Sequence, residues 1–189
     1  MSYEIHGNWK AGWAIDLHTV SSIPLPDGGF DTTYTDTGKA LNQLKYHSDY
    51  SQIEPLAKTA VEFLRTRVVT PYLNAIISVP PSFSRELQPV QEIAKKISEA
   101  LGIPHDLDYL IKTRPTDQLK GVTDQAEREK IIAGAFKVDD LRYKNGKILL
   151  FDDLFRSGTT LNEITKVLYN EGQVQNVYVV TLTKTRVNR

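Results

Sequence analysis

Two adjacent carboxylates, Asp152 and Asp153, directly follow the apolar run Ile148-Leu-Leu-Phe151, and Leu154-Phe-Arg-Ser-Gly-Thr-Thr160 comes next. A short apolar run entering an acidic pair is how a buried parallel strand commonly ends. The residues after it have the makings of an anion cradle. Ser157, Gly158, Thr159 and Thr160 offer backbone N–H groups, hydroxyls and the positive end of a helix that starts there. Gly158 lets the backbone close around an anion without a Cβ clash. The stretch lacks the Gly-Lys-Ser/Thr ending of a Walker A loop. Acids beside the cradle would repel a bare phosphate, so the ligand must also offer hydroxyls for a carboxylate to accept from, or a bridging Mg²⁺. A sugar phosphate satisfies both halves. Taken singly, the acids could cap a turn and the threonines a helix. Strand, acid pair, glycine loop and helix start standing in register favour a binding site.

The elements that must hold this site can be read from hydrophobic periodicity. Apolar residues spaced by three and four predict helices from Thr37 through Leu41 and Leu44, and through Ile53, Leu56, Ala57, Ala60, Val61 and Leu64. Ala75 to Val79 reads as a strand stopped by Pro80-Pro81, and Val90 to Leu101 as a helix with Gly102 as its C-cap. A strand is expected at Asp108 to Ile111, a helix at Ala126 to Ala133, a strand at Ala135 to Val138 and a turn at Asn145-Gly146. Strand Ile148 to Phe151, helix Leu161 to Tyr169 and strand Val177 to Leu182 complete the chain. This alternation from residue 75 onward predicts an α/β fold with a mostly parallel sheet and helices on both faces. Ligands of such sheets sit at the carboxyl ends of the strands, where Pro80-Pro-Ser-Phe83 and Asp152-Asp153 would meet. Tyr3 to Val20 suits one or two strands, and Ser21 to Asp36 reads as a loop. Residues 1–37 are therefore expected to form an N-terminal hood, with Tyr3, Trp9 and Trp13 in its core or stacking on an acceptor, and 38–189 the α/β domain.

Bulk composition narrows the function classes. At 189 residues, 40% hydrophobic and 24% charged, the chain suits one globular domain with a small appendage. Lys+Arg and Asp+Glu both number 23, and this balance argues against general nucleic-acid binding. With no cysteine there is no disulfide, thiolate zinc site or cysteine nucleophile, and the four histidines show no metal-ligand spacing. No run is apolar enough to span a membrane, and the first residues lack the pattern of a signal peptide, so a cytoplasmic location is expected.

At this point ILLFDDLFRSGTTL resembles the phosphoribosyl-diphosphate (PRPP) signature of type I phosphoribosyltransferases. The resemblance implies that Asp152 and Asp153 bind the ribose 2′- and 3′-hydroxyls, directly or through Mg²⁺, and that Arg156, Ser157, Gly158, Thr159 and Thr160 hold the 5′-phosphate. Two further stretches are similar to the ComF/GntX-like branch. They are Leu41-Asn-Gln-Leu-Lys-Tyr46, and Thr113-Arg-Pro-Thr-Asp-Gln118 followed by Glu127-Arg128 and Gly134-Ala-Phe-Lys-Val138. The chain lacks the cysteine-rich zinc ribbon that opens many members of that branch. The match covers about residues 38 to 183.

On the same resemblance Pro81, Ser82, Phe83, Ser84 and Arg85 occupy the place of the diphosphate loop, with an ordinary Pro-terminated strand as the alternative. Lys112, Arg114, Gln118, Lys120 and Arg128 fall in the stretch that resembles the flexible catalytic loop, a lid that excludes water; a solvated surface loop is the alternative. The implied activity is Mg²⁺-dependent transfer of a ribosyl phosphate to an unidentified nucleophile, with diphosphate released. A non-catalytic PRPP or nucleotide sensor and a ComF-like DNA-uptake protein are the competing readings. Homodimers are common among resembling proteins.

Overall fold

The computed structural model describes residues 2–82, 86–116 and 121–186. Its centre is a five-stranded sheet in the order β1-β2-β9-β8-β5. These strands are β1 (Tyr3–Glu4), β2 (Ala11–Leu17), β5 (Ala75–Ser78), β8 (Lys147–Phe155) and β9 (Asn176–Lys184). The pairs β2–β9, β9–β8 and β8–β5 are parallel, and β1 lies antiparallel on the edge of β2.

Helices cover both faces, as the alternating strands require. On one face α1 (Asp36–Tyr46), α2 (Ile53–Arg65) and α3 (Pro89–Leu101) bury Leu41, Leu44, Leu56, Leu64, Ile93 and Ile97 against Leu149 and Phe151 of β8. On the other, α5 (Thr159–Asn170) buries Leu161, Ile164 and Leu168 against Ile148 and Leu150. The pleat of β8 thus sends alternate residues into two separate cores. Helix starts and stops follow the local chemistry. The Thr35 hydroxyl caps α1 by accepting from Gly38 N–H at 3.0 Å, and Gly102, at φ 67°, ends α3 in the left-handed region.

Three expectations are corrected. The loop expected at Ser21 to Asp36 is a hairpin, β3 (Thr19–Pro24) with β4 (Phe30–Tyr34), turned at Asp27-Gly28-Gly29. Its Thr-rich arms satisfy each other's backbone groups, which the Pro and Gly punctuation obscures. β6 (Leu110–Lys112) and β7 (Phe136–Val138) do not enter the parallel sheet; they pair antiparallel with each other. β8 runs four residues past Phe151, so the acidic pair lies inside the strand. Parallel pairing with β9, including Asp152 opposite Thr181, holds it in register there.

The strands expected in an N-terminal hood are divided. β1 and β2 extend the central sheet, and the β3–β4 hairpin forms a sheet of its own. Trp9 and Trp13 pack as core, Trp9 edge-on to Phe155 and Trp13 edge-on to Phe63. α4 (Gln125–Ile132), capped by Asp124, lies where a helix was predicted. Among the described residues no helix is long and apolar enough to cross a membrane.

Candidate functional site

The carboxyl ends of the parallel strands open onto a cleft of about 190 Å³. Val79, Pro80, Pro81 and Ser82 form one wall as β5 gives way to α3. Asp152 and Asp153 lie at its base, Thr160 at the start of α5, and Thr116 and Phe136 close the side nearest β7. Pro80, Pro81 and Ser82 thus share one crevice with Asp152 and Asp153. Phe83, Ser84, Arg85, Gln118 and Lys120 lie outside the described residues.

Strand pleating separates the two acids. Asp153 shares the face of Leu149 and Phe151 and so points toward the α1–α3 layer. There it meets Lys45 of α1, whose Nζ lies 2.6 Å from Asp153 Oδ2. Burial alone would lower the Lys45 pKa, but the Asp153 carboxylate, with help from Asp152, outweighs it and holds the ammonium above its usual value. Asp152 turns the other way. Its Oδ1 accepts from Asp153 N–H at 2.8 Å. Desolvation and the neighbouring Asp153 charge push the Asp152 pKa up, to about 8.

A polar chain backs the acids from β9 and β2. Thr183 Oγ1 donates to the Asp153 carbonyl at 3.2 Å, and His18 Nδ1 lies 3.1 Å from the same hydroxyl. With the one hydroxyl hydrogen of Thr183 committed to Asp153, His18 must donate through Nδ1. Burial lowers the His18 pKa, and the Lys45 and Arg156 charges add to this against the pull of Asp153, which favours a neutral ring.

The loop from Arg156 to Thr160 turns at Gly158. Gly158 sits at φ 77°, and a Cβ there would meet Phe155 Cε2 at 3.0 Å, so the left-handed turn is glycine's. Gly158 is the N-cap of α5 and provides no side-chain cap, unlike Thr35 on α1 and Asp124 on α4. Among the described residues no side chain caps the first N–H groups of α5. The two threonines differ. Thr160 lines the cleft, whereas Thr159 is buried, with its hydroxyl 2.9 Å from Ser157 Oγ and 3.2 Å from Gln125 Nε2. Arg156 is exposed beside the loop.

The described residues of the polar stretch tie its base together. Lys112 Nζ donates to the Pro81 carbonyl at 2.8 Å, pinning the wall after β5 to β6. Arg114 donates to Ala133 O, and Arg128 Nη1 donates to Val122 O at 3.0 Å. These three side chains do not line the cleft.

Lys45 and His18 escaped sequence reasoning as site residues. For Lys45 a signal existed: it directly follows Leu44 on a helix whose Leu41 and Leu44 are core, which sets it at the border of the apolar face.

The fit to Mg²⁺ is decided by the donors. Among the described residues no group of three or more His, Asp or Glu could hold a metal ion, and one oxygen of Asp153 is already taken by Lys45. A Mg²⁺ here would take one or two carboxylate oxygens from the chain and complete its near-octahedral shell from water and a bound diphosphate.

The sequence matches no family model and no curated protein. In structure the chain is similar to glutamine PRPP amidotransferase from B. subtilis complexed with ADP and GMP, with a TM-score of 0.51 and 18% identity over 85% of this chain and 35% of that one. The chain thus spans about a third of that enzyme's length. Further similar structures are orotate phosphoribosyltransferase from Francisella tularensis (TM-score 0.46, 14% identity, 87% and 75% of the two chains) and a hypothetical protein from Neisseria gonorrhoeae with bound ppGpp (0.45, 17%, 71% and 68%). With its parallel-dominated sheet between helical layers, the chain has the fold of the type I phosphoribosyltransferases.

Proposed function

We propose that this chain binds PRPP and transfers its phosphoribosyl group to an unidentified nucleophile, releasing diphosphate. The observation that carries the reading is that one cleft brings together an acid pair and the uncapped start of α5. Asp152 and Asp153 would accept the ribose 2′- and 3′-hydroxyls, and Arg156 to Thr160 would hold the 5′-phosphate. Within the phosphate loop Thr160 is the hydroxyl that faces the cleft. Pro81 and Ser82 would begin the diphosphate loop, their wall held by Lys112.

The transfer breaks the bond from the ribose C1 to the diphosphate oxygen and forms one from C1 to the acceptor, through a centre of oxocarbenium character. The protein's task is to position the sugar, favour positive charge at C1 and exclude water. Pro80, Pro81 and Phe136 supply apolar walls, and the charged acid is Asp153, since Asp152 holds its proton up to about pH 8. A Mg²⁺ carried on the ligand's own diphosphate would offset the charge that grows there. Kinship to the ComF/GntX-like branch rests on the sequence stretches, and a homodimer on what is common among resembling proteins; both belong to the same proposal.

A second reading has one observation in its favour. Arg114 and Arg128 are engaged with the backbone carbonyls of Ala133 and Val122 and do not line the cleft, which suits a PRPP or nucleotide sensor that does not turn over. Calorimetric titration of PRPP with Mg²⁺, against ribose 5-phosphate, tests the site. Tighter binding of PRPP is expected. Equal binding of the two would remove the diphosphate loop from the account, and no binding of either would remove the function. Diphosphate release with an acceptor then separates transferase from sensor.

A further inference from the structure

Lys45 belongs to α1, outside the strand–loop–helix segment that carries the acids, yet it ends at 2.6 Å from Asp153 Oδ2. The two side chains are 21% and 10% exposed, and both line the cleft. Removing either partner would leave the other charge only partly solvated. The position of the pair matters more than its strength. A divalent cation ligated by Asp153 Oδ2 would sit ~2.1 Å from that oxygen, in the space the ammonium fills. Asp152 cannot replace the lost donor on that side, because its Oδ1 is turned to Asp153 N–H and the pleat sends it to the other face.

We propose that Lys45 is a built-in cation that takes the place of a divalent metal at Asp153. It neutralises one of the two acids where the sugar would lie. The cleft then admits an anionic sugar phosphate with no metal held by the protein, and Asp153 Oδ1 is left to accept a ligand hydroxyl. The part concerning the ligand rests on the sugar-phosphate reading above; the part concerning the cation does not.

The experiment follows the electron paramagnetic signal of free Mn²⁺ during titration into the ligand-free protein. The wild type should leave Mn²⁺ free. Lys45→Met and Lys45→Gln, which remove the charge, should take up Mn²⁺ at least about tenfold more tightly. Lys45→Arg should behave as wild type, and adding Asp153→Asn to Lys45→Met should abolish the gain. The Gln variant keeps a hydrogen-bonding group and serves if the Met variant fails to fold. Mn²⁺ uptake by the wild type that Asp153→Asn removes would overturn the proposal, as would folded neutral variants that gain no uptake. Calorimetry with ribose 5-phosphate in EDTA separates the two readings. If the wild type binds no sugar phosphate while the neutral variants gain Mn²⁺, the sugar-phosphate reading falls and the cation assignment stands. If ribose 5-phosphate binds only when Mg²⁺ is added, the cation assignment falls and the sugar-phosphate reading stands.

Discussion

Two aspartate centres in this fold solve the same problem in opposite ways. Asp106, in the connection after α3, is saturated. Its Oδ1 accepts from the N–H groups of Asp108 and Tyr109, each at 3.0 Å. Its Oδ2 accepts from Tyr143 Oη at 2.8 Å and Arg142 Nη1 at 3.0 Å. Burial alone would raise its pKa, but these donors outweigh burial and hold it below the usual carboxylate range. Asp152 is starved by comparison. It has the Asp153 N–H and a like charge beside it, and its pKa moves up. A carboxylate whose lone pairs are all engaged is a structural knot. One left short of donors on the wall of a cleft has acceptor capacity for a ligand.

The largest effect should come from removing the charge that stands beside Asp152. Asp153→Asn is expected to weaken PRPP binding by at least about 100-fold, the equivalent of one or two charge-assisted hydrogen bonds. It also strands the Lys45 ammonium, at a stability loss below about 3 kcal/mol, because a lysine this near the cleft can swing its head to water. Asp106→Asn should do the reverse. A loss of about 1–3 kcal/mol of stability is expected with PRPP affinity unchanged. Calorimetry and urea denaturation on both variants check the pair. Retained PRPP affinity in folded Asp153→Asn would sink its role, and lost affinity in Asp106→Asn would erase the contrast.

The pH dependence should separate the centres next. Asp106, with a lowered folded pKa, contributes stability that is present above its ordinary value of 3.8 and lost as pH falls through the folded value. Asp152, with a raised folded pKa, works in the other direction. Between 3.8 and about 8 the folded chain holds a proton that the unfolded chain has released, so stability falls as pH rises across that window. Asp152→Asn should therefore be more stable than wild type at pH 8, with the difference closing toward 3.8. Urea midpoints across this range read the slope. A slope unchanged by Asp152→Asn would show that the carboxyl is not held protonated.

The acid-pair segment was legible in the sequence because the motif is local, whereas nothing in the sequence marked Asp106. Ile148 to Thr160 is one continuous segment whose strand, acids, glycine and helix start each follow from nearest-neighbour chemistry. The helices were legible for the same reason, since Leu41 and Leu44 or Ala57, Ala60 and Leu64 mark faces by spacing alone. What was not legible depends on pairing at a distance. β2 lies beside β9, and nothing near Ala11 announces a partner at Tyr178. β8 runs past its acids because β9 continues alongside it, a fact about register and not about composition. Three-residue strands such as β6 and β7 carry no periodicity that could assign them to one sheet or another. Lys45 reaches Asp153 only once α1 has docked on the face that the pleat assigns to Asp153.

The smallest expected effect tests whether the anion loop is a binding element or merely a tight turn. Gly158 and Gly102 both lie in the left-handed region, at φ 77° and 67°. Alanine at either position should cost about 1 kcal/mol in backbone strain. Around Gly102 a Cβ would meet nothing within 4 Å, whereas at Gly158 it would press on the Phe155 ring at 3.0 and 3.3 Å. Phe155 is buried and packed edge-on to Trp9, so a shift of its ring presses on the end of β8, on which the acids stand. Gly158→Ala should therefore lose slightly more stability than Gly102→Ala. It should also weaken binding of ribose 5-phosphate several-fold, since the N–H groups of α5 shift with the turn. Gly102→Ala, at the far end of α3, should bind as wild type does. If both variants lose stability and neither loses ribose 5-phosphate affinity, the left-handed turn at Gly158 is there to start a helix, and the phosphate must be held elsewhere.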